Sequence, residues 1–182
     1  MVKYLLDTNS FITPYRSYYN PQIAPSFWNN LLSLFEKCHL YTIDKVVEEI
    51  KKGRDWLTDW IKKLPKNKVL KPEEDISIMQ KYEEIVHYLE TTDYRKKDEF
   101  INCDAYLIAY VLTYDYVLVT FEKLDSSKII KIPKVCNALG IPVSPLLYEN
   151  RYLNLPTLSL EEIQNYKCIS LFEMMIKLDL KP

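Results

Sequence analysis

The 182 residues suit one domain with an appendage, and a hydrophobic content of 48% is ample for a core, which excludes a natively disordered chain. Lysine and arginine number 24 against 25 acidic residues, a net charge of -1, so no global positive field marks a nucleic-acid or membrane binder and any such partner must be met by a local patch. Only 2 glycines occur, Gly53 and Gly140, which excludes chemistry built on a glycine-rich phosphate loop.

Counting removes two further classes. The 2 histidines, His39 and His87, have neither a nucleophile beside them nor the spacing of a zinc pair. Cys38, Cys103, Cys136 and Cys168 are widely separated, so neither a zinc knuckle nor a disulfide frame is expected and the thiols read as reduced. The apolar start Val2–Leu6 is too short for a signal peptide, and no run of ~20 apolar residues follows. A soluble, cytoplasmic protein without a membrane partner is the expectation.

Along the chain, Val2 to Leu6 reads as a buried strand running into the polar loop Asp7-Thr8-Asn9-Ser10, which continues past Pro14, Pro21 and Pro25. A helix is predicted from about Ser26, as N-cap, to Cys38, with Phe27, Leu31, Leu34 and Phe35 on one face. Leu40 to Thr42 reads as a second strand, with Thr42 capping a helix from Ile43 to Lys52 that Gly53 stops. Helical spacing resumes from Trp56 to Leu64, Val69 and Leu70 suit a third strand, and helices are expected over Glu73–Thr91 and Lys97–Thr113. Tyr116 to Thr120 is the clearest strand, a β-branched and aromatic run. A short helical turn at Ile132–Asn137 and a last strand at Ile141–Val143 follow. Strands alternating with helices predict a three-layer α/β/α fold around a mostly parallel sheet, forming a domain of residues 1–145. Residues 146–182 read as a C-terminal helical extension packed on that domain, with helix-like segments at Leu160–Gln164 and Leu171–Leu178.

Parallel α/β sheets carry their sites at the carboxyl ends of the strands, where Asp7 and Glu122 fall. Two more acids come from helix phase. At ~100° per residue, Ile101, Ala105, Ile108, Val111 and Leu112 define an apolar arc that contains Asp104. A carboxylate there needs either a cation partner or a metal ion. Glu49 lies roughly 110° from the centre of the stripe Ile43, Val46, Val47 and Ile50, at the edge of the core, and Glu48 roughly 150° away, facing water. Converging carboxylates repel unless a divalent cation sits between them, and oxygen ligands suit Mg²⁺ or Mn²⁺. Such an ion activates a water against a phosphodiester without histidine, cysteine or a glycine-rich loop. Taken singly, each acid also has an ordinary reading: Asp7 as a turn former, Asp104 in a buried ion pair, Glu49 and Glu122 as solvated boundary residues. Asp125 is the alternative fourth acid.

The blocks Leu5–Ile12, Val46–Ile50, Asp104–Ala109 and Val117–Glu122 resemble the four motif blocks of the PIN domain, the superfamily of the VapC-type ribonuclease toxins. The resemblance spans roughly residues 2 to 145. The Trp-rich helix after Glu49 and the Lys131–Cys136 segment point to a PIN-like branch of prokaryotic proteins away from typical VapC. The resemblance implies that Asp7, Glu49, Asp104 and Glu122 hold Mg²⁺ or Mn²⁺, that Asn9 supports the site by hydrogen bonds, and that Thr120 orients the acid loop. It departs in the last block, where the family has Asp two residues after the Thr and this chain has Glu122, whose longer side chain reaches the ion through water. By resemblance a homodimer and a cognate antitoxin are the expected protein partners.

RNA contact would come from local clusters: Lys51, Lys52 and Arg54; Arg95, Lys96 and Lys97; and Lys123, Lys128, Lys131 and Lys134. Any one cluster equally reads as solvated charge. Tyr15, Tyr18 and Tyr19 either stack unpaired bases or pack their own loop. The leading expectation is a metal-dependent endoribonuclease acting on single-stranded or loop RNA, the toxin of a toxin–antitoxin pair. The alternative is a non-catalytic PIN-like module that binds nucleic acid or protein. A haloacid-dehalogenase-type phosphatase wants a second Asp where this chain has Asn9.

Overall fold

A computed structural model describes residues 2–37, 39–149 and 164–181. Five strands, β1 (Lys3–Leu6), β2 (Leu40–Ile43), β3 (Val69–Leu70), β4 (Tyr116–Thr120) and β5 (Cys168–Ser170), form one sheet in the order β3-β2-β1-β4-β5. Every pairing is parallel. Leu5 and Leu6, and all five residues of β4, are buried although successive side chains point to opposite faces, so both faces of the sheet are covered. The architecture is the expected three-layer α/β/α fold.

The helices are α1 (Asn9–Thr13), α2 (Pro25–Lys37), α3 (Asp44–Lys51), α4 (Trp56–Ile61), α5 (Ile76–Glu90), α6 (Lys97–Asn102), α7 (Asp104–Thr113), α8 (Ile132–Ala138) and α9 (Leu171–Lys177). One group meets through large aromatic rings: Phe11 of α1 lies 6.2 Å from Phe35 and 6.1 Å from Trp60, and Trp28 lies 5.0 Å from Trp60. A second group joins α5 to α7, with Tyr82 stacked on Tyr106 at 4.1 Å.

The structure corrects several local expectations. The segment after Asp7 is helical rather than a loop: α1 passes into a π-helical turn, Pro14–Tyr18. Tyr15 stacks on Trp56 and Tyr19, just past the turn, on Phe27, while Tyr18 stacks on Phe121 and stays 60% exposed. Pro25 opens α2, a position that suits its missing N–H, so Ser26 lies inside the helix and is not its cap. Thr42 does not cap α3 either; its hydroxyl donates to the Leu6 carbonyl at 2.9 Å and ties β2 to β1. The left-handed residue after α3 is Arg54 (φ 52°) and not Gly53. Asp75, accepting from the amides of Ser77 and Ile78, starts α5 later than Glu73. The helix predicted as Lys97–Thr113 is two helices, broken at Cys103 (φ -139°, ψ -60°).

The fifth strand is not at Ile141–Val143. Pro142 has no N–H to give a ladder, and Val143 makes one isolated bridge to Cys168. The edge strand is β5, from the C-terminal segment, which therefore adds a strand to the sheet as well as the expected helix α9. Ser170 ends the strand and caps α9 in a capping box with Glu173. Apart from Gln164, the segment predicted at Leu160–Gln164 lies outside the described residues. Among the described residues no helix is long and apolar enough to cross a membrane.

Phe35 is fully buried in the aromatic group and Ile176 is 61% exposed. Phe35→Ala is expected to cost about 3–5 kcal/mol in urea unfolding, and Ile176→Ala less than about 0.5 kcal/mol.

Candidate active site

The strand order places β1 at the switch point: the chain leaves it toward β2 and β3 on one side and returns to β4 and β5 on the other. The crevice at the carboxyl ends of β1 and β4 is where such sheets bind ligands. Asp7 follows β1 directly, and Glu122 lies two residues past β4.

Neutral hydroxyl and amide groups hold these acids. Buried Asp7 accepts from the Thr120 hydroxyl at 2.6 Å with one oxygen and from the Ser10 amide at 2.7 Å with the other. The Thr120 hydroxyl also accepts from the Glu122 amide at 3.0 Å, so one side chain spans both strand ends. Ser10 donates its hydroxyl to the Val119 carbonyl at 2.8 Å, locking the start of α1 to β4. Asn9 donates to Glu122 at 3.4 Å, and the Ile132 amide at the start of α8 donates to the other Glu122 oxygen at 2.7 Å. Glu49, exposed on α3, accepts from the Thr8 hydroxyl at 2.6 Å. Asp104 is the first residue of α7, partly accessible rather than sealed under an apolar arc, because the break at Cys103 restarts the helix there. A carboxylate is favoured at that helix end by the backbone dipole.

Glu49, Asp104 and Glu122 line one cleft of about 270 Å³ together with Thr8, Asn9 and Cys103. Burial raises Asp7 to about 6, against the lowering effect of the Thr120 and Ser10 hydrogen bonds, with Glu49 adding repulsion. Burial, then the charge of Asp7, raises Glu122 to about 7 despite the Ile132 amide and Lys131. Asp104 is held well above the usual carboxylate range by burial and then by the charges of Glu122, Asp7 and Glu49. Among the described residues no lysine or arginine forms an ion pair with any of the four. The ion-pair reading of Asp104 is thus not what the fold presents.

The chain supplies an oxygen donor set with uncompensated negative charge, the chemistry that suits a hard divalent cation. As the side chains are placed, no three acids, histidines or cysteines among the described residues stand close enough to share one ion. The donor set fits such an ion in kind: Glu49, Asp104 and Glu122 stand apart around the cleft, and Asp7 is buried and does not line it.

Other sequence candidates fall elsewhere. Asp125 is paired with Lys131 and, at 3.3 Å, with Lys134, which holds its carboxyl below the ordinary range, and it does not line the cleft. Lys131 lines the cleft while bound to Asp125. Lys51 and Arg54 are exposed away from it, Lys97 donates to the Thr92 carbonyl, and Lys123 donates to the Leu146 carbonyl at 2.6 Å. Lys96, from the expected RNA-contact cluster Arg95, Lys96 and Lys97, lines it, and so do Glu99 and Cys103. They come from the turn and short helix ahead of Asp104, and no spacing rule points to them. Thr8 carried a signal in hindsight, a hydroxyl beside Asp7 at a strand end.

Residues 4–148 match a family described as a domain of unknown function, DUF4411. The chain belongs to the DUF4411 family. No curated protein and no solved structure matches it. The matched residues of the DUF4411 domain contain all four acids and end before β5.

The raised acids make a pH prediction for the cation-free protein. A carboxyl whose folded pKa lies above its unfolded value favours the native state when protonated; that contribution is present below about pH 4 and lost as the pH rises through the folded value. For Asp7 the window runs from 3.8 to about 6. In EDTA, the stability of Asp7→Asn relative to wild type should rise between pH 4 and pH 7.5 by on the order of 2 kcal/mol, read by denaturant melts at each pH. A flat difference would show that Asp7 is not strained by its surroundings.

Proposed function

We propose that this DUF4411 protein is a divalent-cation-dependent endoribonuclease acting on single-stranded or loop RNA. The observation that carries the reading is that Glu49, Asp104 and Glu122, far apart in the chain, line one cleft at the carboxyl end of the sheet, with buried Asp7 tied to the same strand end through Thr120, and that none of the four has an ion-paired lysine or arginine among the described residues. The resemblance of their motif blocks to the PIN domain supports it.

Asp7, Asp104 and Glu122 are the residues to hold Mg²⁺ or Mn²⁺, with Glu49 at the accessible edge. The ion supplies a Lewis acid and a water of lowered pKa. This chain's own residues do the positioning. Thr120 fixes the Asp7 carboxylate and the backbone of Glu122, Asn9 and the Ile132 amide orient the Glu122 oxygens, and Thr8 steers Glu49. Lys96 and Lys131 are the cations on the cleft wall that a phosphodiester would meet, each also paired with an acid, Glu99 and Asp125 respectively.

With Mg²⁺ or Mn²⁺ and a panel of structured and unstructured RNAs, Asp7→Asn and Asp104→Asn should each reduce the cleavage rate at least ~100-fold, and EDTA should abolish it. Undiminished cleavage in either variant removes this mechanism. The spread of the carboxylates favours one second reading, a non-catalytic RNA-binding module. Titration calorimetry separates the two: the nuclease should bind Mn²⁺ and lose it in Asp104→Asn, whereas the binding module should bind RNA without binding Mn²⁺.

A further inference from the structure

A second cavity, of about 430 Å³, adjoins the acid cleft and shares Glu49, Glu99 and Cys103 with it. Its remaining wall comes from α3 and the residue after it, the turn before α5, α5, α6 and α7, and includes Lys45, Glu48, Lys52, Glu73, Tyr82 and Tyr106. Four carboxylates against two lysines make it a poor place for phosphate. Three of those carboxylates are engaged: Glu73 with Lys45 at 2.9 Å, Glu99 with Lys96 at 3.3 Å, and Glu49 with the Thr8 hydroxyl. Glu48 forms no hydrogen bond or ion pair among the described residues, and it is exposed. On α3, Glu49 therefore lines both cavities, while its neighbour Glu48 lines the second and not the acid cleft. The stacked rings of Tyr82 and Tyr106, inclined at 8°, form an aromatic part of the same wall.

We infer that this cavity is a base-recognition pocket selecting guanine next to the scissile phosphate, with Glu48 as the residue that reads it; the inference rests on the nuclease reading above. Because the two cavities share the wall of Glu49, Glu99 and Cys103, a strand lying in the acid cleft has the second cavity beside it for a neighbouring base. The pocket's acids repel the backbone and accept hydrogen bonds, so they select a base edge that donates. Guanine presents two adjacent donors, N1–H and the 2-amino group, which match the two oxygens of one carboxylate. Adenine and cytosine set an acceptor beside their amino donor, and uracil sets its one N–H between two carbonyls. Each of these edges leaves a carboxylate oxygen facing an acceptor, and such mismatches are what polar pockets reject. Glu48 is a specificity residue and takes no part in the chemistry.

The test is fluorescence anisotropy with labelled heptauridylate and its three variants carrying a single central G, A or C. It uses Asp104→Asn protein in Mg²⁺ and wild-type protein in EDTA, so that no RNA is cut. The guanine heptamer should bind roughly tenfold tighter than the others, as a bidentate base contact does. Glu48→Gln should erase that preference while leaving heptauridylate affinity unchanged. Equal binding of all four heptamers, or a preference that survives Glu48→Gln, overturns the assignment. So does a basic peptide that competes for the cavity while the heptamers bind alike, which would make it a cation site. Guanine preference in a protein that cleaves no RNA sinks the nuclease reading and keeps the pocket. Acid-dependent cleavage without base preference does the reverse.

Discussion

Negative charge gathered against its own repulsion is the constraint around which this molecule is arranged. Burial raises the proton affinity of Asp7, Glu122 and Asp104, the charge of Glu49 adds to it at Asp7, that of Asp7 at Glu122, and those of Glu122, Asp7 and Glu49 at Asp104, and no lysine or arginine among the described residues pairs with them. What keeps Asp7, Glu122 and Glu49 in place is neutral: the hydroxyl of Thr120 and the amide of Ser10 for Asp7, the amide of Ile132 and the side chain of Asn9 for Glu122, and the hydroxyl of Thr8 for Glu49. Such groups orient a carboxylate without cancelling its charge, and charge left uncancelled is available to a cation.

The sheet order explains why the acids can meet at all. Because the chain reverses direction across β1, the loops after β1 and β4 diverge on one edge and leave a crevice between them. Thr120 sits at the end of β4 facing Asp7, and its single hydroxyl serves both loops. The break at Cys103 completes the arrangement. A continuous helix would carry Asp104 in mid-helix with its amide spent on the preceding turn, whereas the restart makes it the first residue of α7 at the cleft. The aromatic group of Phe11, Trp28, Phe35 and Trp60 packs α1 firmly, which is what allows residues 8–10 to position side chains toward β4.

Much of the lysine decoration is structural. Asp125 with Lys131 and Lys134, and Asp93 with Lys128, close the segment between β4 and α8 and thereby fix Ile132, whose amide holds Glu122. Charge read as an RNA-binding cluster is in good part used within the fold, and the cations at the cleft reduce to Lys96 and Lys131. The tyrosines after Asp7 are used in the same way, their rings engaged with Trp56, Phe121 and Phe27.

Sequence alone was enough for the features that depend on local chemistry. Apolar runs such as Tyr116–Thr120 specify buried strands, the alternation of strands with helices specifies a parallel three-layer fold, and acids at strand ends or at helix edges specify a candidate site. It could not reveal β5, because three residues, Cys168–Ser170, are too short to show a period and their strand character comes from β4 alongside them. Nor could it show that Ile141–Val143 stays out of the ladder, that Asp125 belongs to two lysines, or that Glu49 lines both cavities and Glu48 only the second. Those outcomes are decided by which surfaces meet across long separations in the chain, and only the packed structure sets those distances.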